Sequence, residues 1–192
     1  INCTGTVKGT IKDLGDDLSP ASGIFAYNDT TTNGGISITA NNCEAFVYGI
    51  YTGDDSGDVS KIAVKGNVSG YADDSIGIKA ASSAEITLEK TAVVQGSMQG
   101  IQTSDSSDAV ILYGSVIGRG GEAIALKGGD DIITISTTAS VKGITDGGSG
   151  SDTVNLEMQL EDLISFEHNE DNNLTDIVTA NYSISLSNFE YF

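Results

Sequence analysis

One tripeptide, Val-x-Gly, recurs through the first three-quarters of the chain, at Val7-Lys8-Gly9, Val47-Tyr48-Gly49, Val68-Ser69-Gly70, Val94-Gln95-Gly96, Val116-Ile117-Gly118 and Val141-Lys142-Gly143. From Gly49 onward, successive copies are 21, 26, 22 and 25 residues apart. A near-constant period of this length indicates one repeated structural unit. The first step, from Gly9 to Gly49, is longer. It predicts an inserted loop at 12–21, which holds Pro20, the only proline, and a second bulge at 28–33.

Each unit also carries an alternating apolar pair ahead of the Val-x-Gly. The pairs are Ile36 and Ile38, Ile62 and Val64, Ile86 and Leu88, Val110 and Leu112, Ile133 and Ile135, and Val154 and Leu156. Alternation with period two predicts a short strand with one buried face. The Val-x-Gly predicts a second strand that ends at a glycine turn, and a third apolar step, such as Ile76 and Ile78, usually follows.

Three short strands in each unit predict an all-β fold, a right-handed parallel β-helix of about six coils. In this register one internal ladder contains Ile62, Ile86, Val110, Ile133 and Val154. The period is lost after residue 156. The prediction is therefore a solenoid over 1–156 and an irregular segment over 157–192.

Composition limits the partners of the chain. Its 192 residues include nine Lys and Arg against 27 Asp and Glu, for a formal net charge of −18. Such a charge repels nucleic acid and anionic lipid surfaces. No apolar run approaches the ~20 residues that a membrane-spanning helix needs. High acidity is typical of a protein that stays soluble outside the cell, so we expect an extracellular or cell-surface location.

The two cysteines, Cys3 and Cys43, belong to no metal-binding spacing. They are expected on adjacent early coils. A disulfide and a pair of buried thiols are both compatible with this placement, because free cysteine behaves as a small apolar residue.

Two motifs carry a resemblance to known proteins. Residues Gly147–Asn155 match the nonapeptide G-G-x-G-x-D-x-U-x in full, and Gly128–Ile133 is a shortened echo one coil earlier. Near the end of the chain, Leu186-Ser187-Asn188-Phe189-Glu190-Tyr191 is similar to the "NFE" strand that often closes repeat blocks. The stretch 60–156 resembles the β-helical repeats of large secreted bacterial surface proteins, namely autotransporter passengers and haemolysin-type repeat adhesins. The resemblance implies a surface structure or an adhesin. In the haemolysin-type family, calcium ions lie between consecutive nonapeptides.

Three aspartates form the candidate metal site. Asp108, Asp131 and Asp152 each precede an inward apolar residue by two positions. This register stacks them at one corner, about 5 Å apart. Like charges at that distance repel, and they are relieved by protons or by a cation, of which Ca²⁺ best suits carboxylate oxygens. The alternative is a solvated turn in which each Asp caps backbone amides.

The sequence offers few residues from which a catalytic centre could be formed. Polysaccharide lyases and hydrolases with β-helical folds need basic or histidine residues near clustered acids, and this chain has one arginine, Arg119, and one histidine, His168. Arg119 lies in a glycine-rich turn, and His168 lies outside the repeats. The sequence therefore favours a non-enzymatic protein, with no catalytic residue assigned.

The segment 157–192 holds a dense group of apolar and aromatic residues, many of them within 182–192. A solenoid has two open ends whose strands would pair with any other strand. The segment is therefore predicted to be either a cap over the last coil or a junction with the first coil of another copy.

These observations favour an extracellular structural or adhesive β-solenoid module of a surface protein, with a cell-surface or glycan receptor as its partner and no nucleic-acid partner. One alternative is a subunit of a self-assembling extracellular filament or layer, built by head-to-tail stacking. The other is a polysaccharide-active β-helix enzyme.

Overall fold

A computed structural model describes residues 2–8, 22–28, 36–54, 58–170, 173–179 and 183–192. Over these residues the chain is a right-handed parallel β-solenoid of about five turns, which confirms the predicted class. Its strands are β1 (Asn2–Lys8), β2 (Ser22–Asn28), β3 (Ser37–Ala45), β4 (Tyr48–Asp54), β5 (Ser60–Val64), β6 (Asn67–Gly70), β7 (Ile76–Ala80), β8 (Ala84–Leu88), β9 (Val93–Gly96), β10 (Gln99–Gln102), β11 (Ala109–Leu112), β12 (Ser115–Ala125), β13 (Ile132–Ser136), β14 (Ser140–Asp146), β15 (Thr153–Glu157), β16 (Leu163–Asn169), β17 (Leu174–Thr179) and β18 (Ser183–Ser187).

The described helical structure is one 3₁₀ turn, Leu160–Asp162. No helix within the described residues is long and apolar enough to cross a membrane. The predicted loop at 12–21 and nearly all of the predicted bulge at 28–33 lie outside the described residues.

The strands stack into three parallel faces. Face A contains the first halves of β1 and β3, followed by β5, β8, β11, β13 and β15. Face B contains the second halves of β1 and β3, followed by β6, β9 and the first parts of β12 and β14. Face C contains β2, β4, β7, β10, the ends of β12 and β14, and β18.

The interior is built from ladders of equivalent side chains. Face A aligns the predicted ladder, with Ile62 opposite Ile86, Ile86 opposite Val110, Val110 opposite Ile133 and Ile133 opposite Val154. All five side chains are buried, so the predicted register is confirmed. Face C adds a second ladder, formed by Ile24, Ile50, Ile78, Ile101 and Ile124.

The second coil departs from the predicted repeat. Cys43, not Val47, stands opposite Val68, and Val7 stands opposite Cys43. The assignment of Val47-Tyr48-Gly49 as the repeat of this coil is therefore wrong, and Cys43-Glu44-Ala45 takes its place. Cys43 is buried and fills the valine position because a cysteine side chain is small and apolar. The interval from Ala45 to Gly70 then becomes 25 residues, in line with the later steps.

The register also places the two cysteines. β1 and β3 are neighbours, as expected for adjacent coils, with Cys3 opposite Ala40 and Val7 opposite Cys43. The side chain of Cys3 lies outside the described residues, so the choice between a disulfide and two thiols stays open.

The glycine of the Val-x-Gly motif has a different role from the one predicted. Among the copies, Gly143 has a positive φ, of 123°, whereas Gly70 and Gly96 do not. A β-carbon on Gly70 would lie 2.6 Å from the Ser75 β-carbon and 2.7 Å from the Val47 carbonyl oxygen. Glycine is required at that corner because the backbone of the neighbouring segment crosses too closely for a side chain.

The trailing segment leaves the parallel pattern and then returns to it. β16 pairs antiparallel with β17, and β17 pairs antiparallel with β18. β18 then pairs parallel with β14, and Tyr191 forms a parallel bridge with Thr153. The segment therefore adds backbone pairs to face A and face C of the last coil. Whether it acts as a cap or as a junction stays a prediction.

The ladder register predicts that replacing an inward-facing isoleucine lowers the unfolding free energy much more than replacing an outward-facing one. Ile133→Asp places an unpaired charge in the buried core, and we expect a loss of about 4 kcal/mol or more of unfolding free energy. Ile111→Asp on the adjacent strand changes a side chain that is 36% exposed and should cost less than about 1 kcal/mol. Chemical denaturation of both variants measures the difference. Equal losses would contradict the register.

Candidate functional site

The three predicted aspartates lie at one corner, where the chain enters face A. Each immediately precedes a strand, Asp108 before β11, Asp131 before β13 and Asp152 before β15. Because these strands are stacked in register, their preceding residues are stacked as well. All three side chains are buried. We call this set the carboxylate ladder.

Each carboxylate of the ladder binds the backbone of the coil before it. The Ala84 amide donates to Asp108 Oδ1 at 2.6 Å. The Asp108 amide donates to Asp131 Oδ1 at 2.7 Å, and the Asp131 amide donates to Asp152 Oδ1 at 2.9 Å. The alternative predicted solvent-exposed aspartates that cap backbone amides. The aspartates are buried, so the predicted exposure is wrong, but each carboxylate does accept a hydrogen bond from a backbone amide.

The ladder ends on a residue that the sequence did not assign to it. Glu190 Oε2 accepts a hydrogen bond from the Asp152 amide at 2.7 Å, the bond that an aspartate of a further coil would make. The Glu190 amide in turn donates to the Asp152 carbonyl oxygen at 3.1 Å. The only sequence signal was the "NFE" ending, which pointed to a closing strand without naming its partner.

The other two residues of that ending also hold the last coil. Asn188 Nδ2 donates to Asp146 Oδ1 at 2.7 Å. Phe189 packs against the apolar core. Each residue of Asn188-Phe189-Glu190 thus has a separate contact with the coil that it closes.

The nonapeptide forms one of two stacked glycine-rich turns. The Ser149 amide donates to the Lys127 carbonyl oxygen at 2.8 Å, and the Gly129 amide donates to the Ser149 carbonyl oxygen at 3.0 Å. Gly148 and Gly150 have positive φ angles of 92° and 143°, a conformation that favours glycine. The shortened echo is therefore the structural neighbour of the full motif.

Burial dominates the electrostatics of the ladder. It raises the pKa of Asp108 to about 6, although the Ala84 amide opposes the shift by stabilising the ionised form. It raises the pKa of Asp131 to about 7, where the charges of Asp108, Asp152 and Asp130 add to the effect. The pKa of Asp152 is raised in the same direction, again mainly by burial.

Two oxygens of the ladder remain unsatisfied. Oδ2 of Asp131 and Oδ2 of Asp152 are buried and have no hydrogen-bond partner among the described residues. A buried ionised oxygen without a partner is costly, and a proton or a cation relieves the cost.

The fit to calcium is poor at this corner. Calcium takes six to eight oxygen ligands, whereas one oxygen of each ladder carboxylate is already occupied by a backbone amide. Within the described residues, no group of three or more His, Cys, Asp or Glu side chains is arranged to hold a metal ion. Calcium binding at Asp108, Asp131 and Asp152 therefore stays a prediction.

The two residues considered for catalysis lie on separate elements. Arg119 is on β12, where its Nη2 contacts Gln95 Oε1 at 3.3 Å. His168 is on β16, where its Nδ1 lies 2.9 Å from Thr175 Oγ1. His168 lines an open, polar depression together with Glu167, Asn169, Glu170 and Asp176.

An aromatic group forms the main feature of the outer surface near the first coils. The Phe25 and Tyr51 rings stack with centroids 5.1 Å apart and planes 8° apart. Tyr48 lies 5.5 Å from Tyr51, and Lys79 Nζ lies 5.5 Å from the centre of the Tyr48 ring. This group was not predicted from the sequence, because Phe25 and Lys79 are far in the chain from Tyr48 and Tyr51 and meet them only through the register of face C.

Comparison with protein-family models, with curated protein sequences and with solved structures found no match for this chain. The resemblance to secreted bacterial repeat proteins therefore stays a prediction that rests on the motifs alone.

The raised pKa values predict that the protein is less stable at neutral pH and above than at pH 4. A folded-state pKa of about 6 to 7 against an ordinary value of 3.8 gives a stabilising contribution that is complete below about pH 4 and is lost as pH rises through 6 to 7. Asp131→Asn keeps an oxygen for the Asp108 amide and removes the charge. We expect a smaller fall in unfolding free energy between pH 5.5 and 8 in this variant, by about 1 kcal/mol or more.

Asp130→Asn is the comparison variant, because Asp130 is the exposed neighbour of Asp131 in the same turn and its charge raises the pKa of Asp131 less than burial does. Denaturant titrations at several pH values measure the slope. If Asp130→Asn flattens the slope as much as Asp131→Asn, then general charge repulsion and not the buried ladder causes the pH dependence.

If calcium binds the ladder, the melting temperature should depend on calcium, whereas protonation of the ladder gives no such dependence. A calcium ion bound only by the folded ladder stabilises the protein by about 2.7 kcal/mol at a hundredfold excess over the dissociation constant. We expect that gain to be absent in Asp131→Asn and kept in Asp130→Asn. Equal melting of the unsubstituted protein in millimolar calcium and in chelator would refute a stabilising calcium site.

Proposed function

We propose that the chain is a structural, non-enzymatic β-solenoid module of an extracellular surface protein. The observation that carries the proposal is the use made of its buried acidic residues. The carboxylates of Asp108, Asp131 and Asp152 accept hydrogen bonds from backbone amides of neighbouring coils, and the exposed Glu190 does the same at the last coil. These four carboxylates therefore hold neighbouring coils together.

Three further features support this role. The apolar ladders continue from coil to coil on faces A and C, so each coil packs against the next and is stabilised by it. The net charge of −18 favours solubility in a saline environment and disfavours anionic partners. The nonapeptide and the "NFE" ending resemble motifs of secreted surface proteins.

The aromatic group of Phe25, Tyr48 and Tyr51 supports an adhesive form of the same role. Aromatic side chains offer a large contact area at a small cost in side-chain entropy, and they are enriched where proteins bind partners. Lys79 adds one positive charge beside the rings. A receptor for this surface would be an uncharged glycan or a protein, because the overall charge opposes acidic glycans.

The polysaccharide-active enzyme remains the competing hypothesis, with the depression around His168 as its natural location. Glu167 and His168 are neighbours along one strand, and adjacent strand residues point to opposite faces. Nδ1 of His168 lies 2.9 Å from Thr175 Oγ1, so the imidazole hydrogen-bonds a hydroxyl on the neighbouring strand and not the Glu167 carboxylate.

A structural module should survive conditions that destroy a loosely folded chain. We expect the protein to resist a broad-specificity protease under native conditions, while the Ile133→Asp variant is degraded, because cleavage requires local or global opening. Electrophoresis of timed digests measures the difference. Turnover of any polysaccharide by the unsubstituted protein, abolished by His168→Gln, would contradict the structural role and favour the enzyme.

A further inference from the structure

The outer side of face A carries an uncharged patch on three strands that follow one another in the stack, β11, β13 and β15. On each strand, the two residues that flank the buried ladder residue point outward, because side chains alternate along a strand. None of these six side chains is charged, although the chain has a net charge of −18. We call them the neutral patch: Ala109, Ile111, Ile132, Thr134, Thr153 and Asn155.

The centre of the neutral patch combines two large apolar side chains with two smaller ones. Ile132 is 48% exposed and stands beside Ala109 in the register of the strands, and Ile111 is 36% exposed and stands beside Thr134. The large side chains therefore occupy diagonal corners of a square. A half-turn about an axis parallel to the strands, placed between β11 and β13, exchanges these two strands. It sets Ile132 of one copy over Ala109 of a second copy, and Ile111 over Thr134.

The charges next to the neutral patch are compatible with this half-turn. The strands that precede β11 in the stack carry an exposed ion pair, Lys61 with Glu85 at 3.0 Å. The half-turn sets Glu85 over the uncharged Thr153 of the second copy. It sets Lys61 over Tyr191, which bridges Thr153 and is 58% exposed. The acid of this pair therefore faces no other acid.

The other two-fold arrangement of the same faces is opposed by charge. A half-turn about an axis along the stack would set Lys61 over Lys65 of the second copy and Glu85 over Glu89, and like charges that face each other repel. The first half-turn brings only Glu157 near Glu89 at its margin, and Glu89 has Lys65 as its partner at 3.3 Å. Charge therefore favours the arrangement in which the stacking directions of the two copies are opposed.

We propose that two copies of the chain pack face to face through the neutral patch, with their stacking directions opposed. Sheets commonly pack in this way through interdigitated side chains. The contact is isologous, so it closes at a dimer and does not extend into a filament. A single copy can serve as a structural module without the contact, so either proposal can fail while the other stands.

The size of the contact predicts a weak dimer. The overlap from β5 to the Tyr191 bridge is six strand positions, or about 29 Å, and a five-residue strand adds a width of about 17 Å. The two copies together then contribute roughly 1,000 Å², near the lower limit for a specific interface. The copies should separate on dilution, and the comparison of Ile133→Asp with Ile111→Asp is made on dilute protein for that reason.

Substitution at the centre of the neutral patch tests the contact. Ile132→Glu would bury a carboxylate without a partner and should raise the dimer dissociation constant about tenfold or more. Met98→Glu is the matched control, because Met98 is 40% exposed and lies between β9 and β10, away from face A. Thermal melting and circular dichroism confirm that both variants are folded.

Sedimentation velocity over a concentration series measures the size of the species. We expect a monomer–dimer equilibrium for the unsubstituted protein and for Met98→Glu, and a shift to the monomer for Ile132→Glu. Added salt should tighten the dimer, because it screens the repulsion between two acidic copies. A monomer at every concentration would overturn the proposal and leave the neutral patch to another occupant, such as an uncharged glycan. Species larger than a dimer, or equal effects of the two substitutions, would overturn it as well.

Mixing two variants tests the opposed orientation. Ala109→Lys and Ile132→Glu each disrupt the apolar contact when the variant is alone. In an equimolar mixture, the opposed orientation sets the introduced lysine of one copy over the introduced carboxylate of the other, so the mixture should dimerise at concentrations at which each variant alone is a monomer. If the mixture stays monomeric while the unsubstituted protein dimerises, positions 109 and 132 of different copies do not meet, and the proposal is overturned.

Discussion

The structure depends on one constraint, which is that each residue of the solenoid is covered by the residue at the same position in the next coil. Ile133 has Val110 on one side and Val154 on the other, and all three are buried. A coil taken alone would expose these side chains to water, so its stability comes from its neighbours. The same constraint fixes backbone direction, glycine placement and the length of each unit, because any slip would turn the inward side chains outward.

The carboxylate ladder applies this constraint to polar groups. A buried aspartate is costly unless its oxygens are satisfied, and each ladder aspartate is satisfied on one oxygen by the amide of the residue one coil earlier. The amide gains a strong acceptor in return, at a corner where the chain turns and the strand ladder begins. Oδ2 of Asp131 and Oδ2 of Asp152 are buried without a hydrogen-bond partner, so the ionised carboxylates are destabilised. Protonation of these two side chains is therefore linked to the stability of the fold.

The features that follow from the regular repeat of the sequence could be predicted from the sequence alone. The ladder from Ile62 to Val154 and the alignment of the three aspartates were both predictable, because each requires only that equivalent positions stack. The role of Cys43 was not predicted, because the Val-x-Gly motif requires a valine, whereas this position accepts another small apolar side chain. The burial of the ladder was also missed, since sequence spacing does not tell a corner that faces solvent from one that faces inward.

Contacts that occur only once in the molecule, and do not recur from coil to coil, could not be predicted from the sequence repeat. Glu190 lies 38 residues from Asp152, in a segment without repeats, and it reaches the ladder only because two antiparallel strands return the chain to the last coil. The stack of Phe25 on Tyr51 likewise needs the register of β2 with β4, across an interval that includes the long first step.

The trailing end of the solenoid leaves strand edges on face A and on face C, and the chain treats the two edges differently. At the trailing end of face A, Glu190 and Tyr191 supply a side-chain acceptor and a backbone bridge that a further coil would otherwise provide. On face C the tail instead adds three strands and ends on an edge with the direction of the coils. A segment whose only task was to stop the stack could end on an antiparallel edge lined with charge, as protected sheet edges commonly do. β16 exposes Ile164 and Phe166 together with Glu167 and His168, and the Phe166 ring packs edge-to-face on Phe192 with centroids 5.5 Å apart. This edge therefore combines apolar side chains that are partly covered within the molecule with the polar groups of a protected edge.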